Sequence, residues 1–365
     1  MSVLIICEKP SVAKTVALAL GAAEQKDGYL SGDGLLVSWC IGHLISMADA
    51  GSYDERYKKW RYEDLPILPQ TWKYAPTPGK EKQLAVLKEL LHRSDVSEVV
   101  NGCDAGREGE LIFRFVYEQT GCTKPFSRLW ISSMEDSAIR EGFAERRAGT
   151  EYDALYQSAL CRARADWLVG INATRLFSVL YHKTLNVGRV LSPTLNLLVE
   201  RDGKITMFHK EKYHIVHIGC GGVDAESERI SDAAAADALR AACEASQAVC
   251  VSLKKEKKTA LPPKLFDLTL LQREANRVYG FTAKQTLDYA QSLYEKRFLT
   301  YPRTDSNYLT EDMAQTATDL VAALLPVLPF MQGAELTPEI GRVINSAKVS
   351  DHHAIIPTAA FAGNG

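Results

Sequence analysis

The chain has 365 residues, with 43 Lys and Arg against 45 Asp and Glu, a formal net charge of −2 at pH 7, 46% hydrophobic residues and 24% charged ones. This is the balance of an ordinary globular protein with room for two to three domains of roughly 100–200 residues each. It excludes a protein that coats polyanions over its whole surface, but it leaves open a local groove for phosphates.

No apolar run reaches the roughly 20 residues of a membrane span. The opening residues 1–6 lack the basic lead of a secretory signal. No membrane partner and a cytoplasmic location are therefore expected. The eight cysteines include no Cys-x-x-Cys pair, which disfavours zinc ribbons and redox motifs and predicts reduced, mostly buried thiols.

Ser2–Cys7 reads as an apolar strand. It runs through Glu8, Lys9, Pro10 and Ser11 into a helix with Val12, Val16, Leu18 and Ala19, closed by Gly21. Residues 35–41 read as a second strand, and 80–92 as an amphipathic helix with Leu84, Leu87, Leu90 and Leu91 on one face. Residues 96–103 repeat the first pattern: a strand, then Asp104-Ala105-Gly106-Arg107-Glu108-Gly109-Glu110, then a helical run over 111–117. Strands alternating with helices imply a mainly parallel sheet with functional groups at its carboxyl edge. Glu8, Asp104 and Glu108 would meet there, where clustered carboxylates suit Mg²⁺.

Residues 151–180 read as a long helix, followed by a turn at 186–189 and a helix opened by Ser192-Pro193-Thr194. Strands are predicted over 212–220 and 247–253, flanking a helix over 232–245, and Pro262-Pro263 marks a boundary. Two helices follow, at 267–279 and from Thr282, where Gln285 completes a capping box, and another at 311–325. Between them Phe298-Leu299-Thr300 reads as a strand that delivers Tyr301 to Pro302, which removes a backbone donor. Arg303 and the turn formers Thr304, Asp305 and Ser306 come next. A tyrosine can attack phosphorus, but a phenol with a pKa of about 10 needs nearby cations to do so.

Five segments, IICEKPSVAK, GCDAGREGELIFR, VGRVLSPTLNLLVERD, LTYPRTDSNYL and SDHHAIIPT, fall in order across the chain. Together they resemble the type IA DNA topoisomerases, the topoisomerase III branch in particular. The resemblance implies a multidomain α/β and α+β protein. An N-terminal TOPRIM domain would span 1–152, a helical DNA-gripping segment 153–210, the first half of an arch 211–263, and a tyrosine-bearing domain 264–365.

It implies Tyr301 as the nucleophile, Glu8 handling the leaving-group proton, Lys9 and Arg303 stabilising the transition state, and His352 near the scissile phosphate. Glu8, Asp104 and Glu108 would hold Mg²⁺, although Gly106 stands where the family carries a middle acid. Glu110 could compensate, but its spacing points it elsewhere on the helix. Arg189, with Arg162, Arg164 and Arg107, would bind DNA; Leu191 sits where many members carry glutamine.

The implied activity is ATP-independent: single-strand cleavage through a 5′-phosphotyrosine, strand passage and religation. It would act on single-stranded regions of negatively supercoiled DNA, in a bacterial nucleoid or plasmid setting, as a monomer with a helicase partner. Family members continue beyond their histidine motif, so an incomplete ring is expected, cleaving and resealing a strand while relaxing plasmid poorly. A relaxation-deficient remnant that only binds single strands is the alternative, and a TOPRIM nuclease or primase is a third reading that leaves the tyrosine and histidine motifs without a use.

Overall fold

The computed structural model describes residues 1–131, 134–328, 339–349 and 352–363. Ser350 and Asp351, which open the histidine segment, lie outside them. The chain divides into one unit of residues 1–188 with 263–365 and a second of 189–262.

The first unit begins with β1 (Ser2–Cys7) and α1 (Pro10–Ala19), then a meander of β2 (Glu24–Lys26), β3 (Tyr29–Gly32) and β4 (Leu35–Trp39). A small ribbon pairs β5 (Ile45–Met47) with β6 (Tyr74–Pro76). Next come α2 (Glu81–His92), β7 (Val96–Gly102), α3 (Arg107–Gln119), β8 (Phe126–Arg128), α4 (Asp136–Ala144) and β9 (Arg147–Ala148), and then the 28-residue helix α5 (Asp153–Leu180).

The main sheet has the order β2-β3-β4-β1-β7-β8-β9. Its centre, β4-β1-β7-β8, is parallel, and its outer strands are antiparallel. Alternation along β1 sends Leu4 and Ile6 to one face and Ile5 and Cys7 to the other. The first face packs with Leu87, Leu90, Ile112 and Phe113 of α2 and α3; the second packs with Val12, Val16 and Ile139 of α1 and α4. Burial on both faces explains why β1 reads as a continuous apolar run.

The second unit holds α6 (Leu191–Thr206), the hairpin β10 (His217–Cys220) and β11 (Val223–Glu226), and α7 (Ala233–Glu244), whose N-cap Asp232 accepts from the amides of Ala234 and Ala235. The strand predicted over 247–253 does not form. That stretch is irregular and exposed, and without a neighbouring strand its backbone groups gain nothing from extension.

The first unit resumes with α8 (Leu268–Tyr279) and α9 (Ala283–Glu295). Gly280 takes the left-handed conformation that ends α8, and Thr282 with Gln285 forms the capping box that starts α9. After α10 (Ala314–Leu324) and the short α11 (Ala359–Ala362), Leu309, Ala317, Leu320, Ala354 and Ile356 share a small core.

The strand predicted at Phe298–Thr300 is reduced to a single bridge, Leu299 against Pro357. Pro302 cannot donate and Pro357 cannot answer, so the ladder stops there. All eight cysteines are free, as expected, but Cys161, Cys220 and Cys250 are exposed and Cys243 half-buried, against the expectation of mostly buried thiols.

Candidate active site

Two parallel strand ends create the first half of the site. β1 and β7 pair in register up to Cys7 opposite Gly102, so Glu8 and Asp104, far apart in sequence, leave the same sheet edge side by side. Lys9 Nζ sits 3.9 Å from Glu8 Oε1 and 3.8 Å from Asp104 Oδ2. Burial, with the Asp104 charge second, pushes the Glu8 carboxyl up to about 7, against the pull of Lys9. Gly109, at the start of α3, is required by packing, because a Cβ there would lie 2.1 Å from the Asp104 carbonyl oxygen.

The second half is the Tyr301 loop, held by side-chain hydroxyls. The Thr300 amide donates to the Ile356 carbonyl at 3.0 Å, and Thr300 Oγ1 accepts from the Ile356 amide at 3.0 Å. Thr304 Oγ1 donates to the His352 carbonyl at 2.8 Å. These bonds bring the rings of Tyr301 and His352 to 4.2 Å between centroids, while Tyr294 meets Tyr301 edge-on at 5.3 Å.

The halves meet where the Tyr301 hydroxyl donates to Asp104 Oδ2 at 3.1 Å. Burial, followed by the Asp104 charge, pushes the Tyr301 phenol up, while Arg303 pulls it down. His352 is held down to about 4, chiefly by burial, and its Nδ1 is buried without a hydrogen-bond partner among the described residues. A neutral imidazole beside the phenol thus has a polar atom free for an incoming group.

The structure brings together Tyr301, Glu8, Lys9, Asp104 and His352. Arg303 and Arg107 are exposed. Glu108 pairs with Arg162 and lies 3.4 Å from His43 Nε2. Arg164 stacks over Trp72 at 5.4 Å and reaches the Tyr74 hydroxyl at 3.4 Å. Arg189 belongs to the second unit.

The expected triad of Glu8, Asp104 and Glu108 is therefore not assembled, and among the described residues no group of three His, Cys, Asp or Glu side chains is arranged to hold a metal ion. The physical reason is charge. Lys9 stands near both carboxylates, where a dication would compete with it, and Glu108 is taken by a guanidinium. Glu8 and Asp104 remain as two carboxylates, the number through which Mg²⁺ is commonly held together with waters and phosphate oxygens, so a divalent ion would rest on this pair and not on the expected triad.

Sequence reasoning missed a second feature. Residues 56–62, Arg-Tyr-Lys-Lys-Trp-Arg-Tyr, alternate cations with aromatics, and Lys58, Lys59, Trp60, Arg61 and Tyr62 are exposed. Trp60, Trp167, Asp49, Asp166 and Arg175 line an adjoining open cavity of about 500 Å³. The Arg175 guanidinium lies 5.4 Å over Trp60, with its Nε buried and without a hydrogen-bond partner among the described residues. The basic and aromatic interleaving of 56–62 was the available signal.

The comparisons match the fold and the tyrosine-bearing segment alike. Residues 3–134 match the Toprim domain and residues 150–364 match the family described as DNA topoisomerase. The chain belongs to this family, the type IA DNA topoisomerases. It is 41% identical to DNA topoisomerase 3 of Shouchella clausii (strain KSM-K16) over 369 residues, covering 97% of this chain and 50% of the relative. It is also 41% identical to DNA topoisomerase 3 of Bacillus subtilis (strain 168) over 368 residues, with the same coverage. The solved structure of full-length topoisomerase I from Thermotoga maritima superposes with a TM-score of 0.66 at 26% identity, covering 99% of this chain and 57% of that one. The chain spans about half the length of the curated relatives it matches. Among the described residues no helix is long and apolar enough to cross a membrane.

Proposed function

We propose that this chain carries the cleavage and religation centre of a DNA topoisomerase acting on single-stranded DNA. The observation that carries the reading is the 3.1 Å hydrogen bond from the Tyr301 hydroxyl to Asp104 at an edge that also presents Glu8 and Lys9. A base within hydrogen-bond reach of the attacking oxygen, with cations beside it, is what a phenol needs to become a nucleophile.

In the proposed reaction the Tyr301 oxygen bonds to phosphorus and its proton passes to Asp104. The bond from phosphorus to the 3′ oxygen breaks, and that oxygen takes a proton from Glu8, whose raised pKa keeps a fraction protonated near neutral pH. Lys9 and Arg303 neutralise the phosphoryl oxygens, because phosphoryl transfer depends mainly on positioning and charge. His352 Nδ1 gains a partner in a phosphate oxygen. The product is a 5′-phosphotyrosine that stores the bond energy, so the reverse step reseals the strand without ATP. A divalent ion would be held by the Glu8 and Asp104 carboxylates with water and phosphate oxygens and would supply further charge neutralisation; the proton and phosphoryl steps above are assigned to the chain's own residues.

Residues 56–62 and the Trp60 cavity supply the strand-binding face. Stacked bases and cations hold single strands with little sequence preference. Arg162, Arg164, Arg107 and Arg189 are assigned to DNA by resemblance alone, as is the division into TOPRIM, helical, arch and tyrosine-bearing parts. Strand passage, relaxation of negative supercoils, decatenation, a helicase partner, a monomeric state and a cytoplasmic nucleoid setting complete the reading.

The test is a covalent adduct assay on single-stranded DNA with the parent and Tyr301→Phe. The parent is expected to leave a denaturation-resistant adduct and the variant none. An adduct in the variant would exclude Tyr301 as the nucleophile.

A further inference from the structure

We propose that the buried pair Glu110–Arg128 is a positioning device that aims the Asp104 carboxylate at Tyr301. The proposal rests on the reading of this site as a transesterification centre and adds two residues to which that reading gives no part.

Among the described residues the strand pairing of β7 ends at Gly102, yet Cys103 and Ala105 are buried, and buried carbonyls need donors. One guanidinium supplies them. The two N–H groups of Arg128 Nη1 are shared among the carbonyls of Asn101 at 2.9 Å, Cys103 at 2.7 Å and, outside β7, Leu129 at 2.9 Å, and Nη2 donates to that of Asp104 at 2.7 Å. The Asp104 peptide is thus pulled toward the interior, while its side chain reaches out to Tyr301 and Lys9. A planar guanidinium presents fixed donors on two nitrogens, Nη1 and Nη2, a spread that a lysine's compact ammonium on a flexible stem does not reproduce.

Arg128 and Glu110 are both inaccessible to solvent, at 1% and 0% exposure. Glu110 Oε2 lies 3.1 Å from Arg128 Nε and accepts from Asn101 Nδ2 at 2.9 Å, and Oε1 accepts from Arg114 Nε at 3.0 Å. Asn101 Oδ1 in turn accepts from the Cys103 amide at 3.1 Å. Both carboxylate oxygens are engaged, so Glu110 cannot replace the acid missing at Gly106; it is the counter-ion that lets Arg128 stay charged inside. A buried ion pair is weak evidence for stability, since an apolar pair of the same volume often serves the fold as well. Its fan of bonds to the strand end that bears Asp104 suits orientation instead.

The experiment uses the full chain and a single-stranded oligonucleotide. It compares the parent, Arg128→Lys and the charge-free double variant Glu110→Gln/Arg128→Met. Four quantities are measured: thermal melting, oligonucleotide affinity, the adduct rate at saturating oligonucleotide, and amide hydrogen exchange over 99–106. The double variant is expected to melt cooperatively and bind like the parent. Its saturated adduct rate should fall by about 100-fold, the scale of an ångström-size misplacement, with faster exchange confined to 99–106. Arg128→Lys should recover part of the rate.

A folded double variant with a parent-like rate overturns the proposal, as does a loss that lies wholly in affinity. If the double variant does not fold, Arg128→Lys decides: parent-like rate and exchange overturn the proposal, whereas a lower rate with intact binding supports it. If the parent forms no adduct, the transesterification reading falls instead, and exchange over 99–106 alone decides whether Arg128 holds this strand end.

Discussion

The two halves of the site are built by different means. Glu8, Lys9 and Asp104 stand on paired strands with a core on each face, and a buried guanidinium ties down the Asp104 turn. Tyr301 and His352 stand on two segments joined, among the described residues, by the single bridge Leu299–Pro357 and by threonine hydroxyls. Beyond the phenol contact, Arg297 pairs with Asp136 and the Ala359 amide donates to Glu135 Oε1 at 3.2 Å. The contrast teaches a division of labour. On the proposed reading the sheet edge would fix proton transfer and charge, and the loop would carry the nucleophile on a few polar contacts.

The largest effect should come from the fixed half. Asp104→Asn keeps the shape but removes the proton acceptor, and general base catalysis typically contributes 10²–10⁴-fold. A loss of about that size is expected in the adduct rate, with single-strand affinity retained. An unchanged rate would mean that the two halves touch without cooperating.

The loop half should betray itself in acid. His352 has a folded pKa of about 4 against 6.5 for the free side chain. Between those values the unfolded chain binds more protons, so stability is full above about pH 6.5 and is lost as pH falls toward 4. At about 1.36 kcal/mol per unit the loss is about 3 kcal/mol. Melting of the parent against His352→Gln across this range should show the variant with the flatter profile; parallel profiles would contradict the burial of a neutral imidazole.

Trp60→Ala sharpens the comparison on the binding side. Stacking of one base is worth about 1–3 kcal/mol, so affinity for single strands should fall about tenfold with a similar dependence on salt, because no phosphate contact is lost. Affinity equal to the parent's would remove residues 56–62 from the DNA face. The smallest effect belongs to Thr304→Val, which deletes the hydroxyl that donates to the His352 carbonyl. A net cost of about 1 kcal/mol is expected in chemical denaturation, and a neutral result would show that the loop does not need that bond.

The sheet half was legible because its signals are local and periodic. Ser2–Cys7 and Val96–Gly102 are apolar runs, each feeding a helix, and the parallel rule places Glu8 beside Asp104 from pattern alone. The loop half was only partly legible. Tyr301 and His352 are joined by hydroxyl-to-carbonyl bonds between segments about 50 residues apart, and no period in the sequence records such bonds. Glu108 shows a different limit. Sequence placed it near the acidic edge, but its direction was set by Arg162 on a helix that starts at Asp153. Arg128 gave no signal, because a buried arginine reads like any other until its partner Glu110 is seen.

The central claim is that Tyr301 exchanges its phenol for a 3′ oxygen at phosphorus. The most direct measurement uses one oligonucleotide labelled at its 5′ end in one sample and at its 3′ end in another, incubated with the chain, denatured, and digested for peptide mapping. The account predicts that only the 3′-end label travels with the protein, on the peptide containing Tyr301, as a 5′-phosphotyrosine requires. A 5′-end label on the protein, or an adduct mapped to another residue, would contradict it.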